Sequence, residues 1–358
     1  MSETEGRTQK PTLADVARLA GVSKSTASYA FSQPSRLGSE SLERVLAAAS
    51  LLGFAGPSGL GRQLASGRSQ VVAVVTAMLT DAARDDRFSL LVLEGLLREL
   101  ANLHYGALVI PPAASVEGAT LLRELAFDGA ICIQRRSHHQ ETDALLGAKG
   151  VPVLRLDGNS EDDVAMELGD TEAIATILRR LRDDGHERIA TVTMFFDRFA
   201  PRSGMRALDD ALGSKPAGVR ARLAGFARAG IMPSAVYETA YVSREEGLAA
   251  GRALLALEDR PTAIVCQADV FAAGVIDAAR ELGLRVPEDV SVSGFDALAS
   301  EPFDTLDLTT VDHSPLERGG AAARWIVAKV EGREAVRTVI PATVHWGATT
   351  GPAPTTLR

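Results

Sequence analysis

TLADVARLAGVSKSTASYAFS, residues 12–32, reads as two short helices separated by a glycine turn. The Thr12 hydroxyl can cap the first turn, and Asp15, three residues on, supplies the reciprocal carboxylate. Leu13, Val16, Ala17 and Ala20 then fall on one narrow apolar stripe. Gly21 ends that helix, since only glycine enters the left-handed region cheaply. Ser23 caps a second helix, with Ala27, Ala30 and Phe31 facing inward and Lys24, Ser25, Ser28 and Tyr29 projecting the other way. SESLERVLAAASLLGF, residues 39–54, predicts a third helix that turns Leu42, Val45, Leu46 and Ala49 inward. Such a trio is a helix-turn-helix unit whose second helix can enter a major groove. A protein-docking bundle shares the pattern. The outward face decides against it: small, polar and basic groups approach bases and phosphates closely but offer a protein partner no apolar anchor.

Charge supports that division. Between residues 7 and 68 eight basic side chains stand against three acidic ones, so a net charge of −8 separates into +5 there and −13 over the rest. A basic front on an acidic body suits a module that meets phosphates while the body stays in solution. A chain of 358 residues exceeds one compact core. No run approaches about 18 uninterrupted apolar residues, so no membrane partner is expected. Met1–Lys10 is polar and carries no apolar signal core. Cys132 and Cys266 lie in apolar strand-like runs and read as buried free thiols, which suits a reducing cytoplasm.

From Val71 onward, strand-like and helix-like signals alternate. VVAVVTA, ALVIPP, DGAICIQ and VPVLRLD form one series of strands; RIATVTM, TAIVCQA and VSVSGFD form a second that begins after Gly169. Regular alternation predicts parallel sheets covered by helices on both faces. Two series in tandem predict two lobes with a cleft at the carboxyl ends of the strands.

The runs at 12–32 and 39–54 resemble the headpiece of lactose-repressor (LacI/GalR-type) regulators. GHERIATV, RARLAGFARAG, EDVSVSGFDA and LTTVDHSPLERGG look like successive landmarks of that family's effector domain, so the resemblance spans nearly the whole chain. It implies an α/β protein with an N-terminal three-helix helix-turn-helix headpiece at 1–56 and a hinge helix or linker at 57–69. Residues 70–358 would form a two-lobed, periplasmic-binding-protein-like domain with parallel sheets, for effector binding and dimerisation. By resemblance Lys24 and Ser25 are the principal base-reading pair, Ser28 faces the groove, and Arg36 makes a further contact. Tyr29 stands where many members carry Arg, and Thr12, Ser23 and Thr26 join the DNA-contacting set. Lys24 touching phosphate alone would anchor without reading sequence. The hinge segment GPSGLGRQLASGRSQ places Leu64 at the leucine that wedges into a minor groove; an ordinary linker residue is the alternative. Gly59 and Gly61 would cost such a helix about 1 kcal/mol each relative to alanine.

For the effector, the resemblance implies Arg222, whose planar fork suits vicinal oxygens or a carboxylate, and Asp296, which can accept two hydroxyl hydrogen bonds. Asp157 and Asp269 are further candidates at strand ends, although Asp269 can equally cap the next helix. Ala268 replaces the family's usual Asn, which argues against a standard hexose effector. In the loop TDAARDDRF, Arg84, Asp85, Asp86 and Arg87 either meet a polar effector or pair with one another. His138 and His139 read as a solvated loop rather than a metal site, and no cofactor is expected. No phosphate loop, G-x-S-x-G elbow or catalytic triad is evident, so the chain is not read as an enzyme. A solute-binding protein of the same fold and an α/β enzyme remain the competing classes. The favoured reading is a cytoplasmic homodimer that binds double-stranded DNA at a near-palindromic operator under control of a small-molecule effector.

Overall fold

The computed structural model describes residues 11–56, 67–76, 87–113, 116–133, 139–156, 165–197, 200–298 and 307–355. The chain divides into two compact units, Met1–Gln70 and Val71–Arg358. Leu64, Asp157, His138 and the loop charges Arg84, Asp85 and Asp86 lie outside the described residues.

In the first unit, helices α1 (Leu13–Ala20), α2 (Lys24–Ser32) and α3 (Ser39–Leu52) enclose Val16, Ala17, Ala20, Ala27, Ala30, Val45, Ala48 and Ala49. Thr12 and Asp15 form the expected capping box, and Gly21 closes α1 at φ 66°. Phe31 and Phe54 meet edge to face at 5.7 Å and seal the base of the bundle. One inward assignment fails: Leu46 is 46% exposed. The buried stripe of α3 runs through Val45, Ala48 and Ala49, and Leu46 falls past its edge.

The second unit has two lobes. In the first, strands β1 (Val71–Thr76), β2 (Gly106–Ile110), β3 (Gly129–Ile133) and β4 (Val153–Arg155) form a parallel sheet in the order β2-β1-β3-β4. Successive residues of β1 point to opposite faces. Val72 and Val74 pack under helices α4 (Arg87–Asn102) and α12 (Pro315–Val330). Ala73 and Val75 pack under α5 (Val116–Glu124) and α6 (His139–Lys149). Both faces are covered, which explains an unbroken apolar run in place of alternation. His139 opens α6, so the expected loop ends there.

In the second lobe the sheet order is β10-β9-β6-β8-β7: Ser291–Ser293, Ala263–Cys266, Ile189–Thr193, Val236–Glu238 and Gly204–Arg206, the last antiparallel. Helices α7 (Asp170–Asp183) and α9 (Ala217–Ala229) cover one face, and α10 (Arg244–Leu255) and α11 (Asp269–Glu281) the other. The short α8 (Leu208–Leu212) lies beside α9. Cys132 and Cys266 are buried, and neither is in a disulfide among the described residues.

The lobes are not simply tandem. The chain leaves the first lobe between β5 (Met166–Leu168) and Asp170, and returns between β11 (Thr310–Asp312) and Pro315. It leaves again between β12 (Thr338–Ile340) and β13 (Thr343–His345). Parallel pairing of β12 with β5 and antiparallel pairing of β11 with β13 hold these crossings side by side. Helix α12 thus belongs to the first lobe although it follows the whole second series. Among the described residues no helix is long and apolar enough to cross a membrane.

Candidate functional site

Two polar assemblies stand out, one on each unit. On the headpiece, Ser23 Oγ accepts the Thr26 amide at 3.0 Å and lies 2.9 Å from Ser25 Oγ and 2.8 Å from Thr26 Oγ1. Lys24, Ser25 and Tyr29 are exposed, while Thr26 and Ser28 are half-buried. Arg36 is exposed in the turn after α2, with its guanidinium 5.7 Å from the Tyr29 ring centre. The Thr12 hydroxyl donates to Asp15 at 2.7 Å, so its first task is the α1 cap. Hydroxyls, a lysine and the amide-rich first turn of a helix form a surface that an anion can approach closely.

In the second unit, charged groups gather where the lobes join. Asp170 opens α7 just past the first crossing and is 1% exposed. Its Oδ2 receives Arg222 Nε at 3.3 Å, and Arg222 Nη1 donates to the Gln267 carbonyl at 2.6 Å. The Arg222 guanidinium lies over Phe295, 3.8 Å from the ring centre. Burial alone would raise the Asp170 carboxyl. The adjacent His313, Arg222 and Arg318 overcome it and hold the group well below the usual carboxylate range.

Asp296 follows β10 at φ 117°, a conformation that costs a non-glycine residue on the order of 1–3 kcal/mol. Its amide donates to Val311 O at 2.9 Å, and its Oδ1 meets His313 Nε2 at 3.0 Å. His313 occupies the second crossing, stacked on Phe88 at 4.5 Å. Arg222 and Asp296 are therefore members of one junction cluster, as the sequence grouped them. Phe88, Asp170, His313 and Arg318 belong to it too, and sequence reasoning missed them. The signal was available in part: LTTVDHSPLERGG contains His313 and Arg318, but it was read only as a landmark.

Asp269 does something else. It is the first residue of α11 yet makes no side-chain cap. Its Oδ2 accepts the Leu298 amide at 2.9 Å and its Oδ1 the Thr310 hydroxyl at 2.5 Å, so both oxygens are tied to the protein. This corrects its reading as a helix cap. Asp269 braces the strained turn that carries Asp296, and a methyl on Gly294 would come within 2.2 Å of Asp269 Oδ1. Burial, with the Asp296 charge adding to it, pushes the Asp269 carboxyl up to about 7. A carboxyl raised in the fold adds stability below its ordinary value and loses it as pH climbs through the folded value. Asp269→Asn keeps both bonds, accepting from Leu298 and donating to Thr310. The variant is expected to melt above wild type at pH about 8, with the gap shrinking toward pH about 5. A lower melting temperature at the higher pH would show that the charge is needed.

Among the described residues no group of three His, Cys, Asp or Glu could hold a metal ion.

Residues 12–56 match the sequence profile of bacterial regulatory proteins of the lacI family, and residues 178–350 match a periplasmic binding protein-like domain. The chain is 30% identical over 345 residues to the HTH-type transcriptional regulator reg1 of Streptomyces lividans, covering 90% of this chain and 91% of that one. It is 27% identical over 364 residues to the HTH-type transcriptional regulator IpsA of Corynebacterium glutamicum, covering 97% and 99%. It superposes on a crystal structure of the lac repressor bound to ONPG in the repressed state with a TM-score of 0.70 and 25% identity, covering 96% and 100%. The helix-turn-helix unit, the two recrossing lobes and these likenesses along the whole chain agree: it belongs to the LacI/GalR family of DNA-binding transcriptional regulators.

Proposed function

We propose that the protein represses transcription as a cytoplasmic homodimer and catalyses no reaction. Each copy lays α2 in the major groove of one half of a near-palindromic operator. A small molecule at the Arg222–Asp296 junction sets the affinity for DNA. The observation that carries this reading is the outward face of α2, where Lys24 and Ser25 stand exposed beside a ring of capping hydroxyls. One headpiece offers few contacts, and two-fold symmetry doubles them. One neighbour of similar fold is the lac repressor dimer bound to operator, and another is a CelR–cellobiose complex. Residues 57–69 serve as the hinge, with Leu64 as its wedge. A ligand controls DNA binding only through different affinities for the DNA-competent and incompetent arrangements.

Wild-type protein is expected to bind duplex DNA with a steep salt dependence. Lys24→Ala and Ser25→Ala should each relax one or two operator positions by about 1–3 kcal/mol, read by anisotropy on duplexes varied base by base. Uniform weakening on every sequence, with only the salt slope altered, would reassign both residues to phosphate. Absence of salt-sensitive binding by wild type would sink the reading as a whole.

A further inference from the structure

Arg318 sits one turn into α12, and its Nη1 lies 2.9 Å from His313 Nδ1. A guanidinium can only donate, so Nδ1 is the acceptor of that ring. The ring proton is then on Nε2, where it reaches Asp296 Oδ1. His313 thereby accepts from Arg318 and donates to Asp296. Among the described residues Arg318 forms no ion pair. Asp170 Oδ2 pairs with Arg222 and Asp296 Oδ1 with His313, and among the described residues neither carboxylate comes within ion-pair distance of Arg318. A cation drawn out of bulk water normally has a charged partner.

Geometry shows where the partner would come from. Arg318 lies over the Phe88 ring at 5.2 Å and Arg222 over the Phe295 ring at 3.8 Å, so each guanidinium has an aromatic face beside it. Arg222 Nη2 and Asp296 Oδ2 take no partner among the described residues. Burial draws the Arg318 guanidinium below the usual arginine range; the positive charge of Arg222 adds to this, while Asp170 and Asp296 oppose it. Two like charges thus share one junction.

We propose that the effector carries an oxyanion, a carboxylate or phosphate, held between Arg318 and the open edge of Arg222, with hydroxyls on Asp296. This rests on the reading of the lobe junction as the effector site. The ligand class is a polyol acid or phosphorylated polyol, in which paired forks meet an anion and a carboxylate meets hydroxyls.

The test compares sorbitol, gluconate, sorbitol phosphate and inorganic phosphate against chloride at matched ionic strength, using full-length protein in thermal shift and calorimetry. Phosphate and at least one anionic polyol should raise the wild-type melting temperature beyond chloride, and sorbitol should do so least; gluconate against sorbitol phosphate separates the two oxyanions. Arg318→Met should lose about ten- to a hundredfold in affinity for the anions. Affinity is compared on folded protein, because the substitution also removes the Arg318 bond to His313. Arg318→Lys, which keeps the charge without the fork, should fall between. Wild type stabilised equally by phosphate and chloride would overturn the proposal. So would a folded Arg318→Met protein that keeps wild-type anion affinity. Asp296→Asn separates the two layers of inference. If it loses sorbitol binding while Arg318→Met binds anions normally, the junction stands as the site and the oxyanion fails. If anion binding depends on Arg318 while Asp296→Asn binds every polyol like wild type, the anion site stands and the wider effector reading fails.

Discussion

Gly319→Ala is expected to cost the protein about 3 kcal/mol or more, and Gly320→Ala beside it close to nothing. A Cβ at residue 319 would lie 2.0 Å from the Val92 carbonyl oxygen and 2.5 Å from the Leu96 amide. Facing it, a Cβ at Gly95 would lie 2.0 Å from the Leu316 carbonyl oxygen. Helices α4 and α12 therefore touch backbone to backbone, and backbone atoms cannot swing aside. Admitting one methyl means parting the helices along the face that buries Leu96, Leu100, Ala322 and Ile326. At residue 320 the nearest atom is Arg324 Nη1 at 3.2 Å, the end of a flexible side chain that can give way. Alanine there also recovers up to about 1 kcal/mol of helix propensity. Urea denaturation of the two variants checks this directly. Equal midpoints would mean that the helices are not in backbone contact. The same displacement would carry Arg318, the residue before Gly319, away from His313, so the Gly319 variant should also respond weakly to effector.

The headpiece was legible because every signal in it is local: a cap, a stripe and a glycine each act within a few residues. The parallel sheets were legible for a related reason, since strands buried on both faces are written as apolar runs. Strands of three residues, such as Val236–Glu238 and Gly204–Arg206, are too short to show a period. The placement of α12 was not legible either. GGAAARWIVAKV states that a helix is buried, but nothing in its pattern says in which lobe. That return shapes the candidate site, because it brings Arg318 and His313, which lie near Asp296 in sequence, against Asp170 from the far side of the second series. Arg222 and Asp296 were found through a family pattern. Their neighbours required the chain's recrossing to be seen.

Arg222→Met is expected to destabilise the fold by about 3–5 kcal/mol, which makes it a poor single test of ligand contact. Asp170 is 1% exposed, and its Oδ1 already has no hydrogen-bond partner. Without Arg222 its Oδ2 loses a partner as well, and the Gln267 carbonyl loses the Arg222 Nη1 donor. Most of the penalty comes from the abandoned charge rather than from the missing attraction, so removing the charge should return much of it. Asp170→Asn combined with Arg222→Met should be clearly more stable than the sum of the two single changes predicts, a coupling measurable by a double-mutant cycle. The sign with pH follows from Asp170. A carboxyl held low in the fold contributes stability above its ordinary value of 3.8 and loses it as pH falls through the lowered value. Wild type and the Arg222→Met variant should therefore converge in stability in strong acid and diverge near neutrality. Additive single changes would mean that Arg222 and Asp170 are not coupled. If they are coupled, ligand titration of the refolded double variant is the informative experiment: with the fold restored, a remaining loss of effector affinity would support Arg222 as part of the proposed site.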